Sequence, residues 1–136
     1  MKEILEWQED WLAKQITSYR PDTNCSETWW AQALRIEEAL LFDEPLMGVN
    51  VDFAKAFDKL PTHILLQLGR KLGLPEGVLV ALEAMYAQLV RHWKVGPFIG
   101  KGWMSTNGIM QGCPLSVTLL NMFIHIWCAT LEAEAP

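Results

Sequence analysis

No aspartate follows Asp58 in this chain of 136 residues, so any chemistry that needs a pair of aspartates cannot take the second from the carboxy-terminal half. Basic residues are also few. Eleven Lys and Arg stand against sixteen Asp and Glu, a net charge of −5. That balance argues against a free-standing nucleic-acid binder, because phosphate contacts are made by Lys and Arg. It leaves open an enzyme of nucleic acids whose basic parts lie outside this stretch. Cysteine is limited to Cys25, Cys113 and Cys128, an odd number without metal-ligand spacing. They read as reduced thiols of an intracellular protein. The amino terminus is acidic and amphipathic, unlike a signal or transit peptide. The longest apolar run, Leu115 to Leu131, is broken by Ser116, Thr118, Asn121, His125 and Thr130, which marks a buried helix and not a membrane span. There is no internal repeat, low-complexity tract or linker.

What is present suffices for a core. Hydrophobic residues make up 51% of the chain and seven are tryptophan. The length fits one domain or part of one. Helical spacing of Ile4, Leu5, Trp11, Leu12 and Ile16 predicts a helix over 2–17. Tyr19 to Asn24 is a break, and Asn24 or Ser26 caps a second helix running to about Leu41. A strand is expected over 46–53. Helices follow from about Pro61 to Leu72, capped by Gly73, and from Pro75 to about Val90. Ile64, Leu65, Leu68 and Leu72 are assigned to the buried side of the first. A hairpin fits 91–99 and 103–106, with Gly100-Lys101-Gly102 as its turn. An irregular loop over 107–114 leads into a last helix to Ala133.

The stretch Val49-Asn50-Val51-Asp52-Phe53-Ala54-Lys55-Ala56-Phe57-Asp58 organises this layout. Period two puts Val49, Val51 and Phe53 on one face and Asp52 on the other. A carboxylate at the end of an apolar strand is costly to bury unless something binds it. It can also simply cap a turn. Phe57 reads equally as a core aromatic, Lys55 as a solvated lysine, and Gln111 as a side chain that ties down its loop. Asp58 reads as a cap of the next turn and Ser116 as a helix cap. Cys113 reads as packing, since no histidine stands in a partnering position. His63, His92 and His125 share no metal-ligand spacing.

Two stretches carry a family resemblance. Val51 to Asp58 resembles the first palm motif of reverse transcriptases. Gly108-Ile109-Met110-Gln111-Gly112-Cys113-Pro114-Leu115-Ser116 resembles the second. Asp52 and Gln111 lie 59 residues apart (111 − 52), in family order. The wording is closest to the non-LTR, LINE-like retrotransposon branch, and Tyr19-Arg20-Pro21 is similar to the segment that precedes the first motif there. The resemblance implies an α+β fold, a partial fingers-palm with helices packed on one face of a small antiparallel sheet. Residues 1–18 would be an amino-terminal helix and 19–136 the fingers-palm segment. It implies addition of deoxynucleotides to a primer by two-metal phosphoryl transfer. Asp52 and the Phe53 carbonyl would hold Mg2+ or Mn2+. Lys55 and Ala56 would face the triphosphate, and Phe57 would reject a 2′-hydroxyl. Gln111 and Gly112 would contact the incoming nucleotide. Gly108, Cys113 and Pro114 would touch the nucleic acid. The partners would be an RNA template, a DNA primer and deoxynucleoside triphosphates, without a membrane.

The chain departs from the family pattern at Val117, where proline is usual. The larger departure is the third palm motif, with its paired aspartates, which is missing together with the thumb. The reading that results is a fragment, inactive alone as a polymerase. The alternative is a non-catalytic interaction module, or a degenerate retroelement relic that keeps the polymerase shape. Self-association through exposed apolar surface is a further expectation. So is an unpaired edge or exposed face on the strand that carries Asp52.

Overall fold

A computed structural model describes residues 2–134. Among the described residues, five helices are followed by four short strands in two antiparallel ladders and then by a sixth helix. They are α1 (Lys2–Glu9), α2 (Cys25–Leu41), α3 (Ala56–Lys59), α4 (Thr62–Lys71), α5 (Glu76–Ala87), β1 (Val90–Arg91), β2 (Lys94–Val95), β3 (Phe98–Ile99), β4 (Trp103–Met104) and α6 (Pro114–Glu134). The content is α+β, as expected. The layering is not, because the strand residues are exposed apart from a half-buried Arg91 and no helix packs on a sheet face. Helices and the loops between them build the core.

That core begins with an α-hairpin. Helix α4 ends in a Schellman motif. Gly73 sits at φ +78, Leu74 N–H donates to Gly69 O at 2.8 Å, and Gly73 N–H donates to Arg70 O at 3.3 Å. Glycine takes this conformation without the Cβ penalty. The chain reverses into α5, and Leu65, Leu74, Leu79 and Leu82 close the interface. Ile64, assigned above to the buried side, is 43% exposed. Helix α6 lies across α3 and α4 and buries Leu119 and Met122. Among the described helices it alone is long and apolar enough to cross a membrane. Its first half is committed to the core.

The amino-terminal segment closes the far side. The helix expected over 2–17 stops at Glu9. The reason is Arg20, which pairs with Glu9 at 2.8 Å and draws the carbonyls of Ala13 and Ile16 away from a helical ladder at 3.3 and 3.2 Å. Leu12 and Ile16 are buried nonetheless. Trp7 Nε1 donates to Leu72 O at 2.8 Å, tying α1 to the end of α4. The buried Asn121 of α6 accepts from Ser18 Oγ at 2.7 Å and donates to Ser18 O at 2.9 Å. Gln8, also fully buried, donates to Tyr19 O at 3.1 Å. Buried amides of this kind are tolerated only when partnered.

Three further expectations are corrected. Residues 46–53 form no strand. No described strand pairs with them, and Val49 is 89% exposed, so neither a ladder nor a core face holds the segment in a sheet. Helix α5 ends at Ala87 and not at Val90, which belongs to β1. The hairpin turns at Gly96-Pro97, between Val95 and Phe98, and not at Gly100–Gly102. Arg91 pairs with Trp103 and Lys94 with Ile99, so His92 and Trp93 face Gly100, Lys101 and Gly102. That extra residue is a bulge. A Cβ at Gly102 would lie 2.6 Å from Val90 Cγ1, so a larger residue there would push the Val90 and His92 side chains aside.

Candidate functional site: a cleft between two sequence motifs

The segment 53–60 is a tight turn into α3. Lys55 sits in the left-handed region at φ +55, and Ala56 N–H donates to Phe53 O at 3.2 Å. That bond occupies one of the turn amides expected to face a triphosphate, and one lone pair of the carbonyl expected to face a metal. Leu60 is buried, and Phe57 is half-buried against the core. Phe53 turns its ring towards α6, edge-on to Phe123 and Trp127 at centroid distances of 6.0 and 5.3 Å. Asp52 and Lys55 are exposed.

The loop 107–113 docks directly on this turn. Ile109 N–H donates to Phe57 O at 2.7 Å and Gly108 N–H donates to Leu60 O at 2.8 Å. Gly108 sits at φ +91, where a Cβ would lie 2.7 Å from Asp58 O. Only glycine permits that approach. The Gly108 carbonyl accepts from Thr62 Oγ1 and from Arg91 Nη2, each at 3.3 Å. Tyr86 OH accepts from Met110 N–H at 3.3 Å. Ser116 Oγ donates to Met110 O at 2.6 Å, so Ser116 fastens the loop instead of capping α6 through its own side chain. Residues from α4, α5, β1 and α6 thus fix one short loop.

The result is an open cleft of about 490 Å3 whose walls include Phe57, Gln111, Gly112, Cys113 and Pro114. Gln111 and Gly112 are exposed, and Gly112 sits at φ +84 with open space around it. A second open cleft, about 440 Å3, adjoins on the other side of Gln111, where Arg91, Trp93 and Trp103 line it. Five of the ten residues singled out from the sequence therefore share one cleft. Gly108 is buried and anchors the loop through its backbone N–H and carbonyl. Ala56 and Phe53 line a separate hollow of about 160 Å3 beside α6. Asp52 and Lys55 line none of these three. Thr62, Tyr86 and Arg91 escaped notice in the sequence, and Ser116 was read as a helix cap, because nothing local marks a side chain that will bond to a loop carbonyl or amide from another element.

The donor set for a divalent ion is incomplete. No group of three His, Cys, Asp or Glu side chains comes together among the described residues. Asp52 offers one carboxylate, and magnesium needs further oxygens from protein, water or substrate phosphates. The residues present do not make a metal site by themselves. No protein-family model and no solved structure matches the chain.

Proposed function

We propose that the chain is part of an RNA-directed DNA polymerase of a LINE-like retroelement, in which the cleft between Phe57 and Gln111 receives the incoming deoxynucleotide. The observation that supports this reading is the direct docking of the two motif segments, through Ile109 N–H to Phe57 O at 2.7 Å and Gly108 N–H to Leu60 O at 2.8 Å. Segments so far apart in sequence have no local reason to touch. A nucleotide-binding palm needs them to touch.

In this reading Phe57 is a wall that a 2′-hydroxyl would strike, and the exposed Gln111 amide offers a donor and an acceptor to the nucleotide. Pro114 and Cys113 border the path of the templating strand. Asp52 would supply one ligand of a divalent ion whose other protein ligands this chain does not provide. Such an ion would lower the pKa of the attacking hydroxyl and stabilise the leaving pyrophosphate. An intracellular location follows from the same reading.

The test is nucleotide binding followed by amide NMR. Titration with dATP should shift Phe57, Gln111 and Gly112, and ATP should shift them less. Gln111→Ala should abolish the response. Millimolar dATP that leaves these amides unmoved would sink the proposal. A second reading, a non-catalytic interaction module, draws on α2, a helix of 17 residues that contributes none to the core.

A further inference from the structure

We infer that the β-hairpin 90–104 is a platform for single-stranded nucleic acid, which stacks bases on Trp93 and Trp103 and holds phosphates with Arg91, Lys94 and Lys101. The charge pattern is the first support. Between Glu83 and Glu132 the chain has no acidic residue, and its only Lys and Arg there are Arg91, Lys94 and Lys101. All three fall on the hairpin of an otherwise acidic protein. A local basic patch attracts a polyanion even when the net charge is negative.

Aromatic geometry is the second support. Trp93 and Trp103 stack on each other with centroids 5.3 Å apart and planes 25° apart. Their exposures are 73% and 37%, and Phe98 near the tip is 77% exposed. Large rings held open to solvent, interleaved with cations, are what a sequence-tolerant single-strand surface uses. The rings alone would serve a protein partner, and carboxylates of a second copy could meet the cations, but rings and cations interleaved within one hairpin match the alternating bases and phosphates of a strand.

Position is the third. The open cleft of about 440 Å3 is lined by Trp93 and Trp103 of the hairpin and by Gln111 of the loop. One carboxylate, Asp58, also lines it. A strand lying on the hairpin would lead its next base to Gln111. The bulge opposite His92 and Trp93 bends the ribbon where the two rings meet, and His92 Nδ1, 3.0 Å from Gly100 O, braces it. The inference extends the proposed function, since a template must reach Gln111. Strand binding can nevertheless be measured without nucleotide or metal.

The experiment uses the full chain with fluorescein-labelled twelve-nucleotide oligo(U), read by anisotropy between 50 and 200 mM salt. Binding in the micromolar range is expected at low salt. Three neutralised phosphates give a log–log salt slope of about −2 for a single strand. Trp93→Ala should weaken binding at least fivefold, the scale of a lost base stack. Lys94→Glu with Lys101→Glu should weaken it further and flatten the slope. All three residues are exposed, so the variants should keep the wild-type unfolding curve. Trp30→Ala, on α2, should leave binding unchanged.

A wild-type dissociation constant above 1 mM overturns the inference. So does indifference to the hairpin variants, or equal affinity for a duplex, whose bases are already stacked. Variants that change sedimentation but not oligonucleotide binding would make the hairpin a contact between copies and overturn it too. Failure of the dATP titration with strand binding intact would remove the polymerase reading alone.

Discussion

Gly108 and Gly112 both adopt positive φ in the second motif, at +91 and +84, yet they should respond differently to the same substitution. At Gly108 an added Cβ would lie 2.7 Å from the Asp58 carbonyl and 3.0 Å from its Cα, both backbone atoms that cannot give way. Gly108→Ala should cost about 2–4 kcal/mol, combining left-handed strain with the loss of the bonds to Leu60 and Phe57. At Gly112 nothing lies within 4 Å, so Gly112→Ala carries strain alone, about 1–2 kcal/mol. Urea denaturation of the two variants measures the gap. Equal destabilisation would mean that the loop does not rest on the turn as described. Asn121 gives a second residue-scale expectation. Asn121→Leu removes the bonds to Ser18 Oγ and Ser18 O and the donor that reaches the buried Gln8 Oε1 at 3.4 Å. It should destabilise by about 1–3 kcal/mol despite raising hydrophobicity, because a buried acceptor left unpaired costs more than the added methyls return.

Elements differ in how much they owe to the rest of the molecule. Helix α2 buries no residue, so its stability is local. Its support is the Asn24 cap, whose Oδ1 accepts from Glu27 N–H at 3.0 Å, together with ordinary helix propensity. Asn24→Ala should cost about 1 kcal/mol of helix stability. Hydrogen exchange should speed up in α2 amides alone, while α4 and α6 amides and the global unfolding midpoint hold. A matching loss of global stability would show that α2 is integral to the core. The same contrast explains what could be read in advance. Helices α2 and α4 were legible because their signals are local: Asn24 and Gly73 act on groups a few residues away. A hairpin in this stretch was legible, but its turn and register were not: a turn at 100–102 would set Trp103 against Ile99, whereas Trp103 pairs with Arg91. Gly96-Pro97 and Gly100-Lys101-Gly102 are both turn-like, and only the register decides between them. The segment 46–53 has a strand's alternation and lacks a partner, and pairing is a property of the other strand. In the candidate site the residue types of the two motifs were visible. The bonds from Thr62, Tyr86, Arg91 and Ser116 that hold the loop were not, because each comes from a different element.

Across the whole molecule, large apolar side chains are exposed on α2 and along the extended stretch after it, including Trp29, Trp30, Leu34, Leu41, Phe42, Met47 and Val49. The same region holds Glu37, Glu38, Asp43 and Glu44. Large apolar side chains left open to solvent in this number drive association when concentration allows. Sedimentation velocity should therefore show concentration-dependent self-association, and Trp30→Glu with Leu34→Glu should shift it several-fold towards monomer without lowering the unfolding midpoint, since neither side chain is in the core. Salt separates this surface from the hairpin. Sulfate strengthens the burial of apolar groups and also screens the repulsion between acidic copies, so association through α2 should rise with ammonium sulfate. Oligonucleotide binding through Arg91, Lys94 and Lys101 should fall over the same range, because phosphate contacts release counterions. The two responses have opposite signs, which makes them separable in a single preparation. Association that weakens with salt, or that survives the α2 substitutions, would place the self-contact on charged groups or on another face. Primed RNA template with magnesium and deoxynucleotides completes the test at this scale. The chain should extend no primer, because Asp52 stands without the further carboxylates a two-metal site requires. Extension that Asp52→Ala abolishes would show that this chain holds a complete catalytic set.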